Sequence, residues 1–310
     1  MALTLLEANK LNDGNIKRTA IIEMFAQNSD LLRVMPFMDV PGGSMEYNKE
    51  AKLPGVGFRG YNEYYSESLG VINPEVEILR ISGGIIDVDR AMIKTRGPQV
   101  RSEQEAMKVK AMALAIAAKM LNGDSEVNPR EFDGLRKRIN GDQLVPANLI
   151  APNANSALSL EALDDAIDRV EHPTHLLMSK QMRNKLTTAA RTMSVAGDID
   201  YMLDEFGQRV TLYNGIPILI ADYDETGARL LGFNEVGPGG GTTSQSLYVL
   251  SVGDGKVTGL QNGGMDVKDL GLVPGTSAYR TDVEWIVGFA VMHGRAAARL
   301  WGITNAAITQ

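Results

Sequence analysis

The clearest pattern of hydrophobic and polar positions lies near the end of the chain. Apolar residues stand at every second position before the pair His293-Gly294, namely at Val283, Trp285, Val287, Phe289 and Val291. A repeat of two residues is typical of a strand with one buried face. A second run, 295–303, follows. We therefore predict that the chain closes with a pair of long strands, an arrangement more typical of a structural subunit than of an enzyme.

A second pattern has the spacing of a long helix and contains neither proline nor glycine. Ser102 and Glu105 have the spacing of a capping box, and Asn122-Gly123 is a typical helix end. Two neighbouring apolar stripes run between these ends: Ala106, Val109, Ala113, Ile116 and Met120, and Met107, Ala111, Leu114, Ala118 and Leu121. We predict a helix over 102–121, roughly 30 Å long at ~1.5 Å per residue, and buried along half of its circumference.

Residues 41–74, here called the excursion, have a different pattern. Pro41-Gly42-Gly43 interrupts the chain, a polar alternating segment follows at 45–49, and a second Pro/Gly cluster at 53–57 precedes an aromatic segment at 58–65. We predict a long two-stranded hairpin with a Pro/Gly tip. Because an isolated hairpin is marginally stable in water, this one should rest on something outside its own domain.

The remaining segments predict a mixed α+β chain. Residues 1–35 have the pattern of two short helices, the first with Leu3, Leu5, Leu6 and Leu11, the second with Ile16, Ala20, Ile21, Met24 and Phe25. Strands are predicted at 75–81 and 85–88 around a turn at Gly83-Gly84.

Between 128 and 261 we predict alternating helices and strands. Ser179 should cap a helix that follows a buried strand at 175–178, and Leu160, Leu163, Ile167 and Val170 form one side of another helix. Asn214-Gly215 is a strong hairpin signal.

Composition narrows the function. The chain of 310 residues is 44% hydrophobic, which is enough for a core. It has no apolar run of the ~18 residues that span a bilayer and no recognisable signal peptide, so we expect a cytoplasmic, soluble protein. The absence of cysteine excludes disulfides and thiolate chemistry. A net charge of −7 argues against a protein that grips nucleic acid.

Three segments invite a chemical interpretation, and none has the residues that the chemistry requires. The glycine-rich loop 237–241 is followed by no lysine, as a phosphate-binding loop would need. His172 and His175 flank Pro173, which prevents a helical pair of metal ligands. Residues 124–128 are followed by Pro129 where a calcium loop needs glycine. We predict no catalytic residue, no cofactor and no metal.

The order of these elements resembles the major capsid proteins of tailed bacteriophages, of the Hong Kong ninety-seven fold. The matching features, taken together, are the N-terminal arm, the excursion, the long helix, the segment 128–135, the α/β middle with 215–218, and the closing strands ending in 299–303. No one motif is specific by itself. The resemblance covers essentially the whole chain.

The resemblance implies an α+β fold with a discontinuous plan. It implies an N-terminal arm at 1–40, the excursion (the family's E-loop) at 41–74, a peripheral domain with a spine helix at 75–140 and 268–310, and an axial α/β domain at 141–267. The implied function is a non-enzymatic subunit of the icosahedral shell that encloses double-stranded DNA. It would reside in the virion capsid after assembly in the host cytoplasm.

The implied partners are identical copies in pentamers and hexamers. Because the arm begins at residue 1, the resemblance implies a separate scaffolding protein, or none, unless this is a processed form. A portal protein and a decoration protein are further expected partners. Packaged DNA would be enclosed without specific binding, and no membrane is involved. Some relatives crosslink a lysine to a C-terminal asparagine; here Lys49, Lys52 and Asn305 are present, but no acidic residue follows Asn305 to accept the proton.

We expect the excursion to supply the contacts between subunits. Glu46, Lys49, Lys52 and Arg59 should pair with opposite charges on a neighbour, together with Tyr61, because charges at an interface set its register. Gly42 and Gly43 should form a hinge. Two alternatives stay open: an encapsulin-type nanocompartment shell, and a soluble α/β enzyme with an unrecognised site.

Overall fold

The computed structural model describes residues 3–4, 29–192, 199–203 and 209–309. The described helices are α1 Asp30–Val34, α2 Arg90–Arg96, α3 Gln99–Asn122, α4 Leu135–Arg138, α5 Leu160–Asp168 and α6 Lys180–Thr192. The first strands are β1 Leu3–Thr4, β2 Pro36–Asp39, β3 Ser44–Lys52, β4 Val71–Ile78, β5 Arg80–Asp89, β6 Leu144–Pro146 and β7 His175–Met178. The later strands are β8 Ile199–Leu203, β9 Arg209–Tyr213, β10 Ile216–Ile220, β11 Ser244–Leu250, β12 Val257–Gln261, β13 Asp266–Leu272, β14 Ala278–Val291 and β15 Ala297–Thr304.

Most of the predicted arm falls outside the described residues, including the apolar stripe of its second helix. Leu3 was predicted to be helical, but it lies in β1 and pairs with Phe37 of β2. The prediction for Leu3 is therefore wrong.

Strand β14 is the centre of a six-stranded sheet. Its predicted apolar face is buried, and β5 lies on one side of it while β12 and β13 lie on the other. Trp285 and Phe37 meet in the core with ring centroids 5.0 Å apart. The alternation read from the sequence here is confirmed.

A seven-stranded sheet forms the second layer, in the order β6-β15-β11-β7-β10-β9-β8. Alternate residues of its strands enter two different cores. Leu177 and Tyr248 join the core around α3, whereas Leu176 and Val249 join the core beneath α5 and α6. The period of two thus explains how one sheet is covered on both faces.

The predicted pair of closing strands is wrong. β14 belongs to the six-stranded sheet, while β15 pairs with β11 and β6 in the seven-stranded sheet. The predicted domain limits place β15 in the peripheral unit and β12 in the axial unit, whereas strand pairing groups each with the other sheet. Sequence proximity suggested a ribbon, but the turn at His293-Gly294 carries the chain from one sheet to the other.

The long helix α3 begins earlier than predicted. The helix begins at Gln99, directly after Pro98. Ser102 therefore lies inside the helix and does not cap it. A proline is well suited to a helix start because its φ angle is fixed and its missing N–H is not needed there. The predicted end at Asn122-Gly123 is confirmed, and the first apolar stripe is largely buried, but Met107 of the second stripe is exposed.

The predicted turn at Gly83-Gly84 is also wrong, because both residues lie within β5. They pair there with Glu284 and Val283 of β14. A Cβ atom on Gly83 would lie 2.5 Å from the Val283 carbonyl oxygen, and one on Gly84 would lie 2.4 Å from Lys108 Cε. These glycines therefore allow close packing rather than a change of direction.

In the α/β middle the local signals hold. Ser179 Oγ accepts a hydrogen bond of 3.2 Å from the amide of Met182 at the start of α6. Asn214 and Gly215 both have positive φ angles in the turn between β9 and β10. These predictions are confirmed.

Candidate functional site: the excursion and its base

The excursion is a two-stranded antiparallel hairpin, but its second strand is β4 and not the aromatic segment 58–65, which lies in the connecting loop. Because β4 ends at Ile78, the excursion extends past the predicted limit at 74 and is taken from here on as 41–78.

The pairing of β3 with β4 runs from the Ser44/Ile78 pair at the base to the Lys52/Val71 pair near the tip. The two strands form a sheet of their own among the described residues. Residues 53–70 connect them without a described helix or strand. The aromatic side chains of Phe58, Tyr61 and Tyr64 at this tip are fully exposed.

In β4 the apolar side chains point to solvent and the acidic side chains point to the body, which is the reverse of an ordinary core strand. Ile72, Val76 and Ile78 of β4, here called the outer stripe, are 59%, 54% and 50% exposed. Glu75 and Glu77, which alternate with them, are turned toward the body and are partly buried. Burial of apolar surface drives folding, yet no element in the described part of the chain covers this face.

A polar cluster holds the base of the hairpin against the body. Arg138 of α4 forms a two-pronged ion pair with Glu77, with Nη2 2.6 Å from Oε2 and a second contact between Nη1 and Oε1. Both side chains are only 12% exposed. The Tyr47 hydroxyl donates to Glu75 Oε2 at 2.8 Å and lies 3.2 Å from Glu77 Oε1. We call Tyr47, Glu77 and Arg138 the clamp.

The protonation states of the clamp follow from its burial. Burial and the hydrogen bond to Glu75 raise the pKa of Tyr47, so its hydroxyl keeps its proton. Burial acts to lower the pKa of Arg138, but the hydrogen bonds and charge of Glu77 raise it overall. Arg138 also donates from Nε to the Asp133 carbonyl at 2.7 Å and lies over the ring of Phe289. The clamp is therefore a charged pair with its orientation fixed on several sides.

The predicted hinge glycines lie where the hinge was expected. Gly42 has a φ angle of +106°, which glycine adopts readily, and open space surrounds both Gly42 and Gly43. Asn262 Nδ2 donates to the Gly42 carbonyl at 2.8 Å, and the amide of Leu79 donates to the Gly43 carbonyl at 2.9 Å. The hinge role itself stays a prediction.

The predicted contact residues are spread along the excursion. Glu46 is exposed on the outer face, and Lys49 Nζ lies 3.7 Å from Glu75 Oε1 of the same hairpin. Arg59 Nη1 donates to the Glu63 carbonyl at 3.2 Å and lies near the ring of Tyr65. The Lys52 side chain is outside the described part. Contacts between subunits stay a prediction for all of these residues, Tyr61 included.

Sequence reasoning missed the outer stripe and Arg138. Ile72, Val76 and Ile78 alternate with acidic residues, and that alternation was visible, but it does not say which face lies against the body. Arg138 is 61 residues from Glu77 in sequence, and no local pattern connects the two.

The segments with other possible chemistry have structural partners. The amide of Gly239 in the glycine-rich loop donates to Asn155 Oδ1 at 3.1 Å. His175 Nδ1 lies 2.9 Å from Thr174 Oγ1. Lys137 Nζ lies among Asp124, Glu126 and Asp133, at 2.6, 3.3 and 3.3 Å.

Two negative findings concern the described residues only. No group of three or more acidic or histidine side chains there is placed to hold a metal ion. The helices described in this chain also include none with the length and apolarity needed to cross a membrane.

Comparison with known proteins gives a consistent result. Residues 12–158 match the family model described as major capsid protein GP7. A search of curated protein sequences finds no match. Solved structures, by contrast, match almost the whole chain at low sequence identity.

Three of these structures illustrate the likeness. The SrpI encapsulin of Synechococcus elongatus PCC 7942 is 17% identical, with a TM-score of 0.64 over 88% of this chain and 87% of that one. A structure from Mycobacterium phage Bobi is 12% identical, with a TM-score of 0.61 over 90% and 91%. The capsid of an empty GTA particle is 14% identical, with a TM-score of 0.59 over 89% and 90%.

The predicted fold class is confirmed by these likenesses, as is the resemblance to phage major capsid proteins. The hairpin, the long helix and the two sheets occur together in a known architecture. The chain therefore has the capsid fold of the Hong Kong ninety-seven type, and its residues 12–158 match the model of the major capsid protein GP7 family.

Proposed function

We propose that copies of this chain assemble into the icosahedral capsid shell of a tailed bacteriophage that encloses double-stranded DNA. The observation that carries the proposal is the outer stripe of the excursion together with its exposed aromatic tip. Large apolar side chains that are exposed along one strand and at the tip of the hairpin favour an interaction surface. The family match over residues 12–158 makes another copy of the chain the natural partner.

The contacts follow from the way the excursion is built. Its polar side is occupied by the clamp, so its apolar side is available to a neighbouring subunit. Glu46, Lys49, Lys52, Arg59 and Tyr61 contribute charges and one aromatic ring to that contact, and Gly42 and Gly43 let the hairpin adapt to unequal positions in the shell. Contact between the excursion of one copy and the body of the next is heterologous, which favours rings such as pentamers and hexamers.

The wider assignment rests on the fold. The chain is a structural protein without catalytic activity, residing in the virion capsid after assembly in the host cytoplasm. A scaffolding protein, a portal protein and a decoration protein are its further partners, and DNA is enclosed without specific binding, as the net charge of −7 favours. The proposed plan has an arm, an excursion, a peripheral domain and an axial domain, with β12 paired into the six-stranded sheet and β15 into the seven-stranded sheet.

A second candidate is the shell of a bacterial nanocompartment. The likeness to the SrpI encapsulin, with a TM-score of 0.64, favours it, while the match to the major capsid protein GP7 model favours the phage shell. The two differ in content, because a nanocompartment encloses an enzyme cargo.

Expression of the full chain, alone and with co-expressed phage proteins, tests the proposal. Sizing chromatography and negative-stain microscopy should find megadalton closed particles. A small discrete oligomer under both conditions would contradict the capsid function and favour a soluble enzyme. Particles from the native source that contain one enzyme rather than DNA would favour the nanocompartment.

A further inference from the structure

An ion pair lies at the base of the excursion, at a place where apolar packing could also attach the hairpin to the body. A small apolar cluster of Val40, Leu79, Leu260 and Ala290 already lies at this base. Next to it the chain buries the ion pair of Glu77 and Arg138, although charge burial is costly. An apolar contact is tolerant of direction, whereas two parallel hydrogen bonds between guanidinium and carboxylate fix an orientation.

The clamp opposes the freedom of the glycines on the neighbouring strand. Gly42 and Gly43 precede β3, and without side chains their backbone has access to a wide range of φ and ψ angles. Hydrogen bonds from Asn262 and Leu79 to their carbonyls hold the start of the hairpin in the observed conformation. Glu77 lies near the end of β4, where the hairpin returns to the body. Fixing Glu77 against Arg138 therefore selects one of the angles that the glycines allow.

The other side of the clamp is attached to the end of the long helix. Arg138 closes α4, and Gly134 at the start of α4 donates from its amide to the Gly123 carbonyl at 2.9 Å, directly after α3. A Cβ atom on Gly134 would lie 2.7 Å from the Lys119 carbonyl oxygen, so the contact is tight. The direction of the excursion is thus set relative to α3 itself.

We propose that Arg138 is a positioning residue, whose paired hydrogen bonds to Glu77 set the angle at which the excursion leaves the body. Because each excursion contacts the next copy, this angle fixes the inclination between neighbours and hence the curvature of the shell. The curvature part of the proposal rests on the capsid function, whereas the angle itself is a property of the single chain.

The angle is measured by distances between two spin labels on the dispersed chain. The sequence contains no cysteine, so Val56→Cys at the tip and Ile150→Cys on the body give two unique labelling positions, 91% and 97% exposed. We expect a narrow distance distribution for the parent protein. Arg138→Met and Arg138→Lys should both broaden it, because lysine keeps the charge but lacks the planar fork.

Arg280→Met is the matched control. Arg280 makes the same forked pair with Asp87, at 2.7 Å for both contacts, on the sheet away from the hairpin base. It should leave the distance distribution unchanged. If Arg138→Met does not fold, Glu77→Gln gives the same measurement, because it keeps the shape of the side chain while removing the charge.

Two results would overturn the proposal. One is an unchanged distance distribution in folded Arg138→Met or Glu77→Gln, which would leave the clamp a stability element only. The other is broadening by Arg138→Met that Arg280→Met reproduces.

In assembled particles, the Arg138 variants should give a wider range of diameters than the parent, and an unchanged range would refute the link to curvature. Absence of particles from the parent would refute the capsid function instead, while the label distances would still decide the clamp.

Discussion

Strands β14 and β4 both alternate apolar and polar residues, but β14 buries its apolar residues and β4 partly buries its acidic ones. In β14, Val283, Trp285 and Phe289 are buried in the core of their own chain. In β4, Glu75 and Glu77 face the body, while Val76 and Ile78 face outward. The apolar face of β14 is therefore part of the core, whereas that of β4 is left for the proposed contact with another copy.

The comparison implies that substitutions in the two strands have separable effects. Changes in β14 should lower the free energy of unfolding of the single chain. Changes on the outer stripe should leave that free energy nearly unchanged and should act on assembly.

Trp285→Ala should have the largest effect on the single chain. Trp285 is 1% exposed and packs against Phe37, and truncation of a buried aromatic side chain costs about 3–5 kcal/mol. Urea denaturation measures the loss. The matched variant Phe58→Ala at the exposed tip should change the free energy of unfolding by no more than about 0.5 kcal/mol. Equal losses for the two variants would contradict the distinction between fold and assembly.

Acidification should destabilise the body through His175. Burial, with the charge of Arg33, lowers the pKa of His175 from 6.5 to about 4 in the folded chain. The unfolded chain therefore binds the proton first, and stability falls as the pH drops from 6.5 towards 4, by on the order of 3 kcal/mol. Above pH 6.5 the histidine is neutral in both states and contributes no penalty. His175→Gln should flatten this part of the stability profile, and an identical profile in that variant would exclude His175 as the cause.

Val76→Asp should prevent shell formation while the single chain stays folded. It places a charge in the middle of the outer stripe, opposite Glu46, where a neighbouring copy would have to cover it. Val76→Thr has nearly the same shape and should assemble more efficiently than the aspartate variant. The measurements are particle yield by sizing chromatography and the thermal midpoint of the dispersed chain. Normal particles from Val76→Asp would remove the outer stripe from the interface.

Gly42→Val should strain the single chain more than Gly43→Val does. Of these two glycines, Gly42 alone has a positive φ angle, and such an angle costs a residue with a side chain about 1–3 kcal/mol. If both glycines form a hinge, the double variant should also assemble abnormally. Unaltered particles from the double variant would refute the hinge.

Arg59→Glu should have the smallest effect on the single chain. Arg59 is exposed, and among the described residues its side chain contacts Glu63 and Tyr65 of the same loop. Its reversal should therefore impair shell formation and leave the thermal midpoint unchanged. Wild-type particle yields from this variant would count against a role of Arg59 between subunits.

Local patterns predicted the parts of the fold that local forces decide. The alternation around Trp285, the cap at Ser179 and the turn at Asn214-Gly215 depend on neighbouring residues only, and each was confirmed. The capping box at Ser102 was wrong because Pro98 already starts the helix. The pair Gly83-Gly84 predicts a turn from the sequence, but close packing by β14 and Lys108 explains both glycines.

Contacts between residues that are distant in the chain could not be predicted from local sequence patterns. The sheet to which β15 belongs is decided by pairing with β11, which is distant in sequence. The same holds for the clamp, where Arg138 meets Glu77 across the base of the excursion. The alternation in β4 was visible, but only the body that lies against Glu77 shows which of its faces points outward.

Hydroxyl-radical footprinting of the dispersed chain and of assembled particles tests most directly whether a second copy covers the excursion. Phe58, Tyr61, Val76 and Ile78 should be oxidised rapidly in the dispersed chain and protected in particles, while buried Trp285 should be protected in both. Equal reactivity of the four excursion residues in the two states would contradict the account.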